Sequence, residues 1–194
     1  MQTVSAISLE DGHRHGAEAA LIQEAQQDRA AFAPLYQRYR DRVYAYLRTR
    51  TESAEDAADL TQQVFLQALD ALPRYRPQRV PFAAWLVRIA RNAAANYHKR
   101  HRQTMAWDLV PEALQPVVED DLEAQVLQHE AIARLHAVLS TCNAGAREVL
   151  ALHFAARLTV AETAAAVGRS EAAVKKQLTR TLRTLKEQYH DPTR

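Results

Sequence analysis

The sequence predicts an all-α protein with two small helical domains joined by an acidic linker. The 194 residues include only four glycines, and no stretch alternates apolar and polar residues as a half-buried strand does. Apolar residues instead recur at intervals of three and four, which is typical of helices that pack one face into a core. Charge is also segregated along the chain. We therefore expect a flexible leader at residues 1–22, a first domain at 23–103, a linker at 104–121 and a second domain at 122–190.

The net charge of +2 conceals two basic segments and one acidic segment. The first basic segment has no Asp or Glu and contains Arg74, Arg76, Arg79, Arg88, Arg91, Lys99, Arg100 and Arg102. The next segment has no Lys or Arg and contains Asp108, Glu112, Glu119, Asp120, Asp121, Glu123 and Glu130. The second basic cluster contains Lys175, Lys176, Arg180, Arg183 and Lys186. This arrangement indicates a protein that contacts a polyanion at two places.

Composition also limits the chemistry. The lone Cys142 cannot form an internal disulfide, and no secretory segment or apolar run of about 18 residues is present, so we expect a cytoplasmic protein without membrane insertion. His98 and His101 have helical spacing, but no second pair of metal ligands accompanies them. With no phosphate-binding glycine loop and no nucleophile beside a base, we expect no enzyme activity, no metal and no cofactor.

Three helices are expected in the first domain. The first has an apolar face from Phe32 to Leu47 and ends near Thr51, and Ser53 is the expected N-cap of the second. Pro73 ends the second helix, and the three prolines and three arginines of residues 73–81 predict a stiff basic loop. The third helix buries an apolar face that includes Trp85, and it leaves polar residues on its flanks and distal end: Arg88, Arg91, Asn92, Asn96, Lys99, Arg100 and Arg102.

The second domain is expected to end in a helix-turn-helix. A helix begins near Leu122, and a short helix covers 144–156 with Val149, Leu150, Leu152 and Phe154 as its apolar residues. Thr159 and Glu162 fit a capping box, Gly168 suits the left-handed turn that follows, and Ser170 is placed to cap a long helix that ends near Gln188.

The long helix has the two faces that a DNA-recognition helix needs. At about 100° per residue, one face is apolar and the opposite one carries small and cationic residues, namely Ala172, Lys176, Arg180 and Arg183, with Lys175 and Thr179 at its margins. The alternative is an ordinary bundle helix with a solvated basic face.

Three motifs together resemble the extracytoplasmic-function (group four) sigma factors, the small bacterial subunits that direct RNA polymerase to promoters. Residues 59–66, D-L-T-Q-Q-V-F-L, are similar to the family's D-L-T-Q-E-V-F-L motif in region 2.2. Residues 85–92 are similar to its W-L-x-x-I-A-R-N motif, and residues 170–178 to its S-E-x-x-V-K-S-R-L recognition helix. The resemblance covers about residues 23–188, in the family's order and spacing, and it implies a sigma region 2 helical bundle followed by a sigma region 4 helix-turn-helix.

The resemblance also implies partners and contact residues. Core RNA polymerase would contact Asp56, Asp59, Leu60, Gln62, Gln63 and Phe65. The minus-ten promoter element would be opened and recognised by Tyr75, Arg76, Arg88, Asn92, Asn96, Lys99 and Arg100, with Tyr75 alternatively an anchor for its loop. The minus-thirty-five element would contact Lys175, Lys176, Gln177, Thr179 and Arg180. The acidic linker would enter the polymerase's basic channels in place of nucleic acid.

Some positions depart from the family pattern. Ala58 and Gln63 stand where the family commonly has Glu, so we expect weaker docking on the basic clamp helices of polymerase, although Asp56 and Asp59 remain. We hypothesise that phosphorylation of Thr61 by a Ser/Thr kinase restores this charge; the alternative is that Thr61 is an ordinary family residue and an anti-sigma factor regulates the protein. Gln177 replaces the usual Arg of the recognition helix and Lys176 a small polar residue, so the promoter sequence does not transfer from relatives.

Two other function classes remain open on the sequence. One is a stand-alone helix-turn-helix regulator that uses its first domain for sensing or dimerisation and binds duplex DNA by itself. The other is a helical interaction protein that shows no salt-dependent binding to nucleic acid.

Overall fold

A computed structural model describes residues 16–101 and 137–190, and every regular element in these two ranges is helical. This confirms the all-α prediction. No helix in the described ranges is long and apolar enough to cross a membrane. The predicted linker at 104–121 and the helix start near Leu122 lie outside the described residues. The first domain contains α1 (16–27), α2 (Ala33–Arg48), α3 (Ala54–Ala71) and α4 (Phe82–His101).

The second domain contains a helical segment at 137–140 followed by three helices. The first, α5 (Ala144–Leu150), continues into one π-helical turn at Ala151–Ala155. The helix-turn-helix consists of α6 (Val160–Val167) and α7 (Glu171–His190). Its turn has the predicted geometry, with a complete capping box between Thr159 and Glu162 and a left-handed Gly168 at φ 69°.

A short polar side chain caps the N-terminus of one helix in each domain. The Ser53 hydroxyl accepts a hydrogen bond from the Asp56 amide at 2.9 Å and so caps α3, as predicted. The Asn143 side chain accepts a bond from the Ala146 amide at 2.8 Å and caps α5. Pro73 lies in a 3₁₀ turn at Leu72–Arg74, which ends α3 where the sequence predicted.

The first domain packs four helices around a core that contains several fully buried side chains: Leu35, Val43, Tyr46, Leu47, Val64, Leu72, Phe82 and Leu86. Leucines and aromatic residues from α2, α3 and α4 supply most of this core, as their helical spacing predicts. These contacts fix α3 and α4 side by side, so that their outer faces form neighbouring surfaces.

The leader prediction is wrong for residues 16–22, because α1 belongs to the first domain. Ile22 and Ala25 are buried in its core, and the Gln26 side chain donates to the carbonyls of Leu72 and Tyr75 at 2.9 and 3.0 Å. Only a few apolar residues of α1 point inward and polar residues surround them, so the sequence shows little periodicity here. Residues 1–15 lie outside the described ranges.

The second domain shares the core of the first. Val149, Leu150, Val174, Leu178 and Leu185 form a small cluster inside the helix-turn-helix unit. A different set of side chains packs into the first-domain core instead: Ala151, Leu152, Ala156, Leu158 and Ala166. Phe154 was predicted among the apolar residues of the short helix at 144–156, but its side chain points outward and is 46% exposed. The two domains are therefore in direct contact.

Candidate nucleic-acid interface

Three exposed surfaces collect most of the predicted contact residues. We call them the α3 surface, the α4 surface and the α7 surface. Each is the outer face of a helix whose opposite face is buried, so helix packing determines which side chains are accessible. The residues on these faces are described in turn, followed by the contacts that join the two domains.

The α3 surface combines acidic and amide side chains with one large apolar residue. Asp59, Gln62 and Gln63 are exposed, as predicted, and Asp56 is half-buried. The Asp56 carboxylate accepts hydrogen bonds from the Ser53 hydroxyl at 2.6 Å and from the Tyr97 hydroxyl at 3.1 Å. Asp56 therefore connects α3 to α4, and Asp59 is the more accessible carboxylate.

Two residues predicted on this surface do not reach it. Leu60 and Phe65 are 6% and 4% exposed and belong to the first-domain core. Both residues were predicted from a motif match, which does not distinguish the exposed face of a helix from its buried face. Leu66, which the sequence analysis missed, is 62% exposed and lies about 20° around the helix from Asp59. The sequence did contain a signal for this exposure. Leu66 lies outside the apolar stripe that its buried neighbours on α3 form, so a leucine on the exposed face could have been recognised.

The structure argues against phosphorylation of Thr61. Thr61 is 6% exposed, and its hydroxyl donates to the Ala57 carbonyl at 2.7 Å within α3. A kinase requires an exposed, extended hydroxyl, and a phosphate at this position would place about two negative charges against the core. Thr61 lies on the buried side of the helix whose exposed side carries Asp59 and Gln63.

Tyr75 is the anchor of the basic loop rather than an exposed stacking residue. It is 4% exposed, packs against the rings of Phe82 and Trp85, and donates its hydroxyl hydrogen to the Val80 carbonyl at 2.7 Å. Burial, with a smaller contribution from the charge of Glu18, raises the pKa of Tyr75 to about 12. The minus-ten contact predicted for Tyr75 is therefore wrong as a direct contact, and the loop conformation depends on this side chain.

The α4 surface carries the other residues predicted to contact the minus-ten element. Arg88, Asn92, Asn96, Lys99 and Arg100 are all exposed, and at about 100° per residue they lie within a sector of about 120°. In the loop before α4, the exposed Arg76 donates to the carbonyls of Pro73 and Tyr75 at 3.1 and 3.0 Å.

A groove of about 190 Å³ separates the α4 surface from the α3 surface. Asp59 and Gln63 line it on one side and Asn96 and Arg100 on the other. At its base, burial and the hydrogen bond to Asp56 raise the pKa of Tyr97, so this hydroxyl stays protonated and remains a donor. The hydrogen bond between Tyr97 and Asp56 joins the two helices at this groove.

The α7 surface is a shallow concavity of about 490 Å³ with a cationic rim. Its lining residues are Ala172, Lys175, Lys176, Thr179, Arg180 and Arg183. Small side chains lie between the charges, which suits close approach to a nucleic-acid groove. The predicted contacts Lys175, Lys176, Thr179 and Arg180 are exposed on this surface.

Gln177 differs from these four residues. It is half-buried, and its side-chain oxygen accepts a hydrogen bond from the guanidinium of Arg169, which lies in the turn before α7. Arg169 was missed in the sequence analysis because its position relative to α7 depends on the turn. The pair places an additional exposed cation at the N-terminal end of α7.

Polar side chains of the first domain also contact the second. Glu148 of α5 pairs with Arg50 at 2.5 Å and with Arg91 at 2.8 Å, and it accepts the Tyr46 hydroxyl at 3.1 Å. Burial raises the pKa of Tyr46, so this donor also stays protonated. Arg42 donates to the carbonyls of Ala156 and Arg157. Arg91, predicted on the flank of α4, is thus an interdomain residue.

Metal chemistry finds no support in the described part of the chain, where no three His, Cys, Asp or Glu side chains lie together as metal ligands. The chemistry available on the three surfaces is therefore charge pairing, hydrogen bonding and apolar contact.

Comparisons with known proteins agree with the two-part organisation. The family model Sigma-70 region 2 matches residues 35–104, and the model Sigma-70, region 4 matches residues 130–185. The first match covers most of α2 and all of α3 and α4, and the second covers α6 and the first three quarters of α7.

Curated relatives align over most of this chain. The ECF RNA polymerase sigma factor BldN of Streptomyces coelicolor is 35% identical over 175 residues, which cover 90% of this chain but 66% of BldN. The chain thus spans slightly less than two thirds of BldN. The ECF RNA polymerase sigma factor SigD of Mycobacterium tuberculosis is 30% identical over 177 residues, which cover 88% of this chain and 82% of SigD.

Solved structures share the fold. CnrH, in complex with the cytosolic domain of CnrY, superposes with a TM-score of 0.58 at 24% identity, over 87% of this chain and 94% of CnrH. The sigma factor RpoE from Bartonella quintana, in complex with the anti-sigma factor NepR, gives a TM-score of 0.57 at 20% identity, over 81% of this chain and 95% of RpoE.

Proposed function

The chain belongs to the extracytoplasmic-function RNA polymerase sigma factors, and we propose that it binds core RNA polymerase and directs it to promoters with two separated DNA elements. The observation that carries this proposal is the placement of the α3, α4 and α7 surfaces. An acidic and amide surface lies beside one cationic surface, and a second cationic surface lies on a helix-turn-helix. Core polymerase at the α3 surface and promoter DNA at the α4 and α7 surfaces account for all three.

The α3 surface is the proposed docking site for core polymerase. Its exposed carboxylates, Asp59 and Glu55, complement a basic partner, while Leu66 supplies an apolar contact at the C-terminal end of the surface. Interfaces commonly combine an apolar centre with a polar rim, which excludes water around the central contact. Gln63 beside Asp59 keeps the charge of this surface modest, and so the apolar contribution of Leu66 matters more.

The α4 surface is proposed to bind the minus-ten element as a partly unstacked strand. Asn92 and Asn96 offer amide donors and acceptors to base edges, while Arg88, Lys99 and Arg100 neutralise phosphates. The loop anchored by Tyr75 supports the start of α4 and carries the exposed Arg76. Opening of the duplex is driven by binding energy, since the unstacked strand gains contacts that the closed duplex lacks.

The α7 surface is proposed to bind the minus-thirty-five element in duplex form. The small residues Ala172 and Thr179 allow close approach, and Lys176 and Arg180 are placed for phosphate or guanine contacts. Arg169 adds a contact at the N-terminal end of the same helix.

An anti-sigma factor is the proposed regulator. The solved relatives CnrH and RpoE are each in complex with another protein, CnrY and NepR respectively. The burial of Thr61 favours this proposal over regulation by phosphorylation of that residue.

The experiment is a pull-down of core polymerase by the full chain, followed by DNA binding with and without polymerase. We expect the chain to bind core polymerase, to bind promoter fragments strongly only in that complex, and to lose this binding on Asn92→Ala. Arg40→Ala is the matched control, because Arg40 is an exposed arginine of α2 outside all three surfaces. Tight, specific binding of duplex DNA by the chain alone, without polymerase binding, would instead indicate a stand-alone regulator.

A further inference from the structure

We propose that the two domains hold each other in a closed, self-inhibited form through a clasp centred on Glu148, and that this clasp must open for initiation. The clasp consists of Glu148 with Arg50, Arg91 and Tyr46, together with Arg42 and the two carbonyls that it contacts. The inhibitory role rests on the sigma-factor function proposed above.

Glu148 is the centre because three donors from the first domain converge on one carboxylate. Its Oε2 pairs with Arg50 at 2.5 Å, and its Oε1 contacts Arg91 at 2.8 Å and the Tyr46 hydroxyl at 3.1 Å. The side chains of Glu148 and Arg50 are only 21% and 12% exposed, so water screens this pair less than it screens a surface ion pair. Loss of Glu148 would leave two partly buried guanidinium groups facing each other.

Arginines of the first domain also bind carbonyls at helix ends of the second. Arg42 donates to the carbonyls of Ala156 and Arg157, each at 2.8 Å, where the π turn after α5 ends. Arg91 donates to the carbonyl of Ala166 at 2.7 Å in the last turn of α6. Helix C-termini present unsatisfied carbonyls and partial negative charge, so a cation is favourable at both places.

The apolar contact beneath these polar groups is continuous. Leu152 and Leu158 are fully or almost fully buried, and they belong to the same core as residues of α2 and α4. Arg157 has a positive φ of 52°, an unusual conformation for a residue with a side chain, and its carbonyl is one that Arg42 binds. The closed form is therefore a specific interface with apolar, ionic and backbone contacts.

This closed form is too short to contact both promoter elements. Their positions, ten and thirty-five base pairs before the start of transcription, place them about 25 base pairs apart, which is about 85 Å of duplex DNA. A compact protein of this length has a radius of gyration of about 16 Å and so a diameter of about 40 Å. Because Arg91 lies on α4 beside Asn92, the clasp also ties the minus-ten helix to the helix-turn-helix domain. Simultaneous contact with both elements requires the clasp to separate.

The first part of the test measures the distance between domains in the free full-length chain. Spin labels on Glu24→Cys in α1 and Lys186→Cys in α7, with Cys142→Ser, report it by double electron–electron resonance. In this doubly labelled parent chain we expect a single short distance between the two labels. The same chain with Glu148→Arg should give a longer and broader distance distribution. Arg42→Gln weakens the clasp from the other domain and serves if Glu148→Arg fails to fold. Glu187→Arg is the control, because Glu187 is an exposed glutamate of α7 outside the clasp.

The second part uses the same variants in complex with core polymerase and measures their affinity for a promoter fragment that carries both elements, because the α3 surface is exposed in the closed form and the clasp limits only the contact with DNA. If no more than about a tenth of the chain in that complex is open, releasing the clasp should tighten apparent promoter binding by at least about tenfold, and Glu187→Arg should change nothing. A long or broad distance in the parent would overturn the clasp, and open variants with unchanged or weaker promoter binding would overturn self-inhibition. If neither parent nor variants bind polymerase, the proposed function fails, while the distances still decide whether the clasp exists.

Discussion

Truncation of Leu66 tests the proposed docking surface most sharply. Leu66 is 62% exposed at the C-terminal end of the α3 surface, and Asp59, Gln62 and Gln63 precede it on the same face. In the free protein the side chain contributes little to the core. The change Leu66→Ala should therefore weaken polymerase binding while leaving the fold intact.

The expected magnitude follows from exposure. Full burial of a leucine side chain is worth about 1.5–3 kcal/mol, and docking can bury only the exposed fraction, which leaves about 1–2 kcal/mol. Alanine retains a small part of this area, so the expected loss is about 1.4 kcal/mol, or about tenfold in the dissociation constant. The free energy of unfolding should change by less than about 0.5 kcal/mol, because the residue lies outside the core.

The assay is equilibrium binding of labelled full-length chain to core polymerase, alongside urea denaturation of each variant. Gln37→Ala is the control, because Gln37 is an exposed side chain of the first domain on α2, away from the α3 surface. Unchanged binding by Leu66→Ala would refute the docking surface. A large loss of stability would refute the claim that Leu66 is available for contact.

Three further predictions concern the loop, α3 and α7. Tyr75→Phe removes the hydrogen bond to the Val80 carbonyl and should lower the free energy of unfolding by about 1 kcal/mol. Because the folded pKa of Tyr75 is about 12, above its unfolded value, stability should fall as pH rises from about 10 to 12, and calorimetry of Tyr75→Phe should show a smaller fall. Thr61→Glu should destabilise the protein by about 2 kcal/mol or more in urea denaturation, without stronger polymerase binding, since it places a carboxylate beside the core near Ala57. Arg180→Ala should reduce the salt dependence of promoter binding by about one phosphate contact, measured as the slope of log affinity against log salt, and an unchanged slope would exclude a phosphate role.

Helix positions were predictable from the sequence because they depend on local chemistry. Ser53 and the Thr159–Glu162 capping box satisfy helix N-termini within four residues, and Gly168 provides the left-handed turn. α1 was missed because only a few of its residues, such as Ile22 and Ala25, face the core. Its stability comes from tertiary contacts that local periodicity does not express.

The exposure of the proposed contact residues was predictable where the helix face agreed with the motif. Asn92 and Arg180 are exposed as expected, whereas Leu60, Phe65 and Tyr75 belong to the core, because a motif match does not separate residues that bind from residues that pack. The domain contact was not predictable at all. Glu148 and Arg50 are 98 positions apart, and their pairing depends on how two domains meet rather than on either local sequence.

The central claim is that this chain gives core polymerase specificity for two-part promoters. The most direct measurement is selection of randomised duplex DNA by core polymerase with and without the full chain, followed by sequencing of the bound fragments and permanganate probing of unpaired thymines. We expect a two-part motif, with unpaired bases near its downstream part, only when chain and polymerase are both present. A single motif selected by the chain alone, with no unpaired bases, would contradict the claim.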